Sequence, residues 1–195
     1  MLYKVYRFIR KLTAPIERIA ELVPFNSSVL DLGCGKGVLT DEIISKKSPT
    51  RYTGVDIDKR NIHILRKRHP SFEFVLSDAL DYLNICIENK ISFDCIVISD
   101  MLYLLSEEKA EEIIIKTYSI LSKNGIIIIK DAGHNLPLFI QEYISVKILH
   151  NTSGDFINLK PFKFYEDLLI KNSMNYIMID VHRFWYPHFI VVIRK

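Results

Sequence analysis

The chain has no apolar run long enough to cross a bilayer, which excludes a membrane-spanning helix. Its first residues, Met-Leu-Tyr-Lys-Val-Tyr-Arg, lack the uninterrupted apolar core of a secretion signal, so the expectation is an intracellular, cytoplasmic protein. Cysteine is scarce. Cys34, Cys86 and Cys95 are odd in number and never spaced as CxxC, which suggests neither a disulfide framework nor a structural zinc site. Charge is nearly balanced: +3 over 195 residues is too mild for a nucleic-acid footprint, which usually shows as a strongly basic face. Internal repeats and low-complexity segments are absent as well. What remains is most simply one domain, residues 1 to 195, large enough to bury an α/β core without staples.

Glycine is sparse too, seven residues in all, yet three of them alternate at positions 33, 35 and 37. They follow a short apolar strand, Ser27 to Leu32, and lead at once into an apolar-periodic segment, Val38 to Ile44. Glycines in such a strand-to-helix turn permit a tight reversal and bring bare backbone against a ligand, with a helix N-terminus behind it. Asp31 lies just before them, and a second strand, Arg51 to Ile57, carries Asp56 near its end. A carboxylate at the end of the second strand suits a ribose diol, whereas Asp31 would repel a pyrophosphate. A nucleoside bearing a cationic amino-acid end would meet both residues favourably.

Further strands read at Ser71 to Leu76, Phe93 to Ser99 and Ile126 to Lys130, with helical segments at Lys59 to His69, Leu80 to Glu88 and Lys109 to Leu121 between them. Lys123-Asn124-Gly125 reads as the turn into the fifth strand. Short apolar strands separated by helix-length segments predict a parallel sheet covered on both faces, with ligands at the carboxyl ends of its strands. After Asp131 come a helix candidate at Leu136 to Leu149, a turn-rich break at Asn151 to Asp155 and a helix at Tyr165 to Asn172. Two last strands, Tyr176 to Val181 and Phe189 to Ile193, are joined too briefly for a parallel crossover and read as an antiparallel pair. The fold class is therefore α/β: a Rossmann-like, doubly wound, mostly parallel seven-stranded sheet ending in a C-terminal antiparallel strand pair.

Residues 1 to 24 form a helical arm or lid, interrupted at Pro15, with Lys4, Arg7, Arg10, Lys11 and Arg18 among an apolar stripe. The plain reading is a helix docked on the sheet with a solvated basic face. The sharper ones are a cover for the substrate and a peripheral contact with an anionic membrane. Residues 132 to 160 are expected to be a substrate-side insertion.

Val-Leu-Asp31-Leu-Gly33-Cys34-Gly35-Lys-Gly37, Gly54-Val-Asp56-Ile57-Asp58, Ser77-Asp78-Ala79 and Phe93-Asp94-Cys-Ile-Val-Ile-Ser99-Asp100-Met-Leu-Tyr103 together resemble the class I S-adenosylmethionine-dependent methyltransferases. The resemblance is close over residues 25 to 131 and looser beyond. It implies S-adenosyl-L-methionine as cofactor: Gly33, Cys34 and Gly35 beside its methionine part, Asp56 on both ribose hydroxyls with Ile57 next to it, Asp78 and Ala79 at the adenine, and Ser99 at the fourth strand end. Asp31 would orient the turn and the ammonium end, directly or through water. Asp58 reads instead as a surface or helix-cap residue.

On the acceptor side the candidates for catalysis are Asp100, Tyr103, Asp131 and His134, because the loops after the fourth and fifth strands lie at the sheet's carboxyl edge. His134 has a side-chain type suited to taking a proton near neutrality; the alternative is a loop histidine without that duty. Tyr103 reads as packing or as a substrate contact, and His182 and His188 as residues finishing the hairpin. Asp100 and Asp131 resemble part of a metal-dependent arrangement, but Ala132 stands where that pattern has asparagine and no third ligand is evident, so no metal is assigned. Neither the Asn-Pro-Pro-Tyr nor the proline-cysteine arrangement of base methyltransferases is present. The expected activity is methyl transfer to a small, apolar or lipid-like acceptor, on oxygen, with nitrogen as the alternative. Its rivals are RNA methylation and a non-catalytic cofactor-binding module.

Overall fold

A computed structural model describes residues 2–132, 158–183 and 186–195. The helix expected at 136–149 and the break at 151–155 lie outside the described residues, as does part of the aromatic connection between the last two strands. Strands β1 (Ser28–Leu32), β2 (Arg51–Asp56), β3 (Glu73–Leu76), β4 (Phe93–Ser99), β5 (Leu121–Ala132), β6 (Asn175–Arg183) and β7 (Tyr186–Arg194) form one sheet in the order β3-β2-β1-β4-β5-β7-β6. The first five pair in parallel, and β7 is antiparallel to both β5 and β6. Interposing β7 between β5 and β6 makes the C-terminal pair an extension of the parallel sheet.

Strand residues alternate between two apolar clusters, as a period of two requires. Leu30, Ile96, Ile98, Ile127 and Ile129 face one cluster, with Leu83, Ile113 and Leu169 from α5 (Ala79–Glu88), α6 (Glu107–Ser119) and α7 (Phe162–Lys171). Val29, Cys95, Val97 and Ile128 face the other, with Ile19, Ile43 and Leu65 from α2 (Ile16–Leu22), α3 (Val38–Lys47) and α4 (Lys59–Arg68). Among the described residues both faces are thus covered, which directs a ligand to the strand ends.

The fifth strand differs from its expected bounds. It begins at Leu121, paired with Phe93, and Lys123-Asn124-Gly125 lies inside it as an irregularity before Ile126 pairs with Cys95. The turn chemistry is real, since Asn124 has φ 63°, but the chain rejoins the same strand partner.

The arm departs further. Its first helix, α1 (Leu2–Thr13), ends before Pro15, where the break was expected. Its basic face, however, is not the solvated one. Arg7 approaches Asp41 and Glu42 at 3.8 Å, Lys11 reaches Glu42 at 2.5 Å, and Arg10 binds Asp100. Tyr3 donates to Asp41 at 2.7 Å and receives the Arg68 guanidinium on its ring face, 4.0 Å from the centroid. Val5, Phe8, Ile9 and Leu12 lie in solvent instead. The reversal has an electrostatic cause: the body presents buried or half-buried carboxylates that the basic face neutralises together with Lys46, Arg68 and Lys130.

Candidate active site

The sheet order lines up the ends of β3, β2, β1, β4 and β5 along one edge. At β1 the glycine turn is tied down by the Gly33 and Cys34 N–H groups, which donate to the Val55 carbonyl at 2.8 and 3.0 Å. It closes where the Gly37 N–H donates to the Cys34 carbonyl at 3.1 Å. Within it the glycines do different work. A Cβ on Gly37 would stand 2.3 Å from Leu65 Cδ2, whereas a Cβ on Gly35 would find no outside atom nearer than 3.9 Å. Gly37 serves packing, and Gly35 keeps its backbone open to the crevice.

Asp56 links the turn to β2. Its Oδ2 accepts from the Gly35 N–H at 2.8 Å, while its Oδ1 accepts from the Asp58 N–H at 2.7 Å and from the Asn61 side-chain amide at 3.4 Å, which leaves Oδ2 as the oxygen with a lone pair for a further donor. The next residue, Ile57, is a large apolar side chain left 55% exposed beside that carboxylate. Asp58 caps α4 by accepting from the Arg60 N–H at 2.7 Å. Asp78, exposed at the start of α5, accepts from the Leu80 N–H at 2.8 Å, and the Ser77 N–H donates to the Asp56 carbonyl at 3.2 Å. Asp56, Ile57, Asp78 and Ala79 are thereby gathered at neighbouring strand ends.

Asp31 lies beneath the turn rather than on it. The Tyr52 hydroxyl donates to its carboxylate at 2.5 Å and Thr40 at 3.3 Å; burial pushes its carboxyl up to about 6 against the lowering effect of these bonds. Tyr52 and Thr40 carry no motif signal in the sequence.

Across β4 lies a second group of polar side chains. Asp100, in the left-handed region at φ 55°, takes Lys130 on one carboxylate oxygen and Arg10 on the other. Burial alone would raise this carboxyl, but the two cations outweigh it and hold it well below the usual carboxylate range. A carboxylate so held takes up a proton only in strong acid. His188 adjoins this group: its Nε2–H donates to the Thr13 carbonyl at 2.8 Å, and burial, reinforced by Lys130, lowers its pKa to about 4. Far from only finishing the hairpin, His188 ties β7 to the end of α1. Lys130 was detectable in principle, as a lysine closing an all-isoleucine buried run needs a counter-charge.

Asp131 points to the other side of the sheet. It accepts from the Tyr165 hydroxyl at 2.5 Å and from the Ala132 N–H at 2.9 Å, and burial raises its carboxyl to about 6. Asp100 and Asp131 therefore have separate partners and do not form a carboxylate pair. Among the described residues no group of three His, Cys, Asp or Glu could hold a metal ion. Tyr103 is buried against Ala132 and Leu159, and its carbonyl accepts from the Asn158 N–H at 2.7 Å. Lys160, fully buried, donates to the carbonyls of Leu102, Leu105 and Asn158 at 2.9, 2.8 and 3.2 Å, fixing the turn that follows Asp100. No sequence signal marked Lys160. His134 lies outside the described residues.

A doubly wound sheet with an open glycine backbone at one strand end and a carboxylate at the next defines a nucleoside-binding domain. Residues 29–125 match the family model described as a methyltransferase domain. Over 74 residues the chain is 35% identical to the trans-aconitate 2-methyltransferase of Paracidovorax citrulli, an overlap covering 37% of this chain and 28% of that protein. Its fold superposes with a TM-score of 0.71 on a SAM dependent methyltransferase from Archaeoglobus fulgidus, at 18% identity over 98% of this chain and 99% of that one. An O-methyltransferase family protein from Burkholderia thailandensis gives 0.70 at 16% identity, over 93% of this chain and 55% of that one. The chain belongs to the class I S-adenosylmethionine-dependent methyltransferases. It spans roughly a quarter to a half of the length of the curated relative and the Burkholderia protein.

The residues present fit the cofactor of this family, S-adenosylmethionine. The Gly35 backbone is open, the Asp56 Oδ2 retains a lone pair, and Ile57 offers an apolar surface for a purine.

Proposed function

We propose that the protein transfers a methyl group from S-adenosylmethionine to an oxygen of a small, apolar or lipid-like acceptor bound beyond the ends of β4 and β5. The observation that carries this reading is the placement of Gly35, Asp56 and Ile57 on one side of the β1–β4 junction, with Asp100, Lys130 and Arg10 on the other. The bound cofactor supplies an electrophilic methyl on a sulfonium centre.

Gly33, Cys34 and Gly35 hold its amino-acid end, Asp56 accepts from the ribose hydroxyls, and Ile57, Asp78 and Ala79 surround the adenine. Ser99 closes the pocket at β4. Asp31, through Tyr52 and Thr40, keeps the turn in shape. Asp100 stays ionised and orients the loop that carries Tyr103 rather than exchanging protons. Proton removal from the acceptor falls to His134, since Asp131 is buried on the other side of the sheet with Tyr165. The helix α1, bridging the glycine turn and Asp100, covers the crevice as a lid.

RNA is disfavoured because a net charge of +3 over 195 residues is too mild for a nucleic-acid footprint. The test is mass spectrometry of cell extract incubated with the protein and methyl-labelled cofactor. One labelled small molecule is expected, lost with the Asp56→Ala variant; label in the RNA fraction would replace the acceptor class. Cofactor binding with no labelled product would favour a non-catalytic module.

A further inference from the structure

The exposed side chains of α1 form a single strip. Val5, Phe8, Ile9 and Leu12, spaced i, i+3, i+4 and i+7, lie on one helical face, and they are 53%, 64%, 50% and 44% exposed. The opposite face is held to the body by Tyr3, Arg7, Arg10 and Lys11, so the helix cannot turn its strip inward without breaking the bonds to Asp41, Glu42 and Asp100. An apolar row kept outward by three sets of ion pairs is built to meet something apolar.

Its surroundings select the partner. Along the flank of α1, the cations Arg7, Lys11, Lys46 and Arg68 stand against three carboxylates, Glu17, Asp41 and Glu42. Lys36 stands 4.3 Å from the centre of the Tyr6 ring, with the Asp58 carboxylate acting on it. Arg7 and Lys46 keep 40% and 47% of their side chains exposed while paired with those carboxylates. Within α1 itself, Lys4, Arg7, Arg10 and Lys11 are accompanied by no acidic residue. A strip one helix wide is far below the roughly 800 Å² per partner that a stable dimer buries. It does suit a lipid surface, which demands no complementary shape and rewards an apolar row rimmed by cations.

We propose that the outer face of α1 seats the protein on an anionic lipid surface, with Val5, Phe8, Ile9 and Leu12 in the interface and the flanking cations at the headgroups. Because α1 also bridges Gly37 and Asp100, seating it places the mouth of the crevice at the lipid surface. The docking stands apart from catalysis; only the delivery of a lipid-like acceptor from that surface rests on the proposed function.

The experiment is co-sedimentation of the full chain with vesicles of phosphatidylcholine alone and of phosphatidylcholine with phosphatidylglycerol. Binding is expected to the anionic vesicles, to weaken with salt, and to fall about tenfold or more in Phe8→Glu/Ile9→Glu. Cofactor affinity of the same variant, by calorimetry, should stay within about twofold, since neither side chain faces the crevice. If the glutamate pair lowers the melting temperature, Phe8→Ser/Leu12→Ser supplies the same comparison with the fold intact. Failure to bind anionic vesicles, or equal binding by the variants, overturns the proposal. So does a dimer in sedimentation velocity that these substitutions dissolve while vesicle binding is absent. Loss of cofactor binding in the intact chain would count against the methyltransferase reading and leave the vesicle result to stand by itself.

Discussion

Gly37→Ala is expected to lower stability by about 3 kcal/mol, the sum of a left-handed backbone and an overpacked contact. Gly37 has φ 79°, which an L side chain adopts only at a cost. The added methyl would lie 2.3 Å from Leu65 Cδ2 and 3.1 Å from Arg68 Nη1. Leu65 is wholly buried within the cluster shared by α2, α3 and α4, so it has no free direction in which to retreat. Denaturant unfolding measures the loss directly. The informative comparison is Gly35→Ala, where the same backbone cost meets open space: its stability should fall by only about 1 kcal/mol. Its cofactor affinity should fall more than its stability, because the methyl enters the crevice. Equal stability losses at the two positions would show that the two glycines do not divide packing from ligand approach.

Asp100→Asn should cost about 3–5 kcal/mol at neutral pH, the usual consequence of removing one member of a buried ion pair. Lys130 is 1% exposed, and the neutral amide leaves its ammonium without a counter-charge. Arg10, with 29% of its side chain exposed, can turn to water, so the penalty falls mainly on Lys130. The paired variant Asp100→Asn/Lys130→Met should recover most of the loss, since an apolar replacement for a buried pair is often neutral. The pH dependence has a defined sign. The depressed Asp100 carboxyl contributes stability that is present above its unfolded value near 4 and lost as pH falls through its folded value. Asp31 and Asp131 act oppositely: each is raised to about 6, so their contribution is full below about pH 4 and lost as pH rises through 6. The gap between native protein and Asp100→Asn should therefore hold from pH 7 down to about 4 and close only in stronger acid. A gap that closed near pH 6 would show that Asp100 is not the carboxylate held by the two cations.

How much of this was legible in the sequence follows from the range of the forces involved. The glycine turn, Asp56, Asp58 and Asp78 are local features, each set by residues within one strand-turn-helix unit, and they are found where motif spacing put them. The alternation of isoleucines in β4 and β5 likewise announces strands covered on both faces. The orientation of α1 was not legible, because an apolar stripe ordinarily marks the inward face. Here Asp41, Glu42 and Asp100, 30 to 90 residues away, attract the basic face more strongly. Lys160 and Tyr52 are similarly silent in sequence: their partners, the carbonyls after β4 and the carboxylate of β1, are brought to them only by the finished sheet. The start of the fifth strand is hidden in the sequence, since Asn124 and Gly125 carry true turn chemistry that the sheet absorbs as an irregularity.

The central claim is that Asp56, at the end of β2, holds the ribose of S-adenosylmethionine against the open backbone of Gly35. Isothermal titration of the cofactor or its demethylated product into the native protein, Asp56→Ala and Asp58→Ala tests it most directly. Saturable binding by the native chain is predicted, with a loss of about a hundredfold in Asp56→Ala from two charge-assisted hydrogen bonds. Asp58→Ala should bind nearly as the native protein does, because that carboxylate only caps α4. Equal effects of the two substitutions, or no saturable binding by the native chain, would contradict the account.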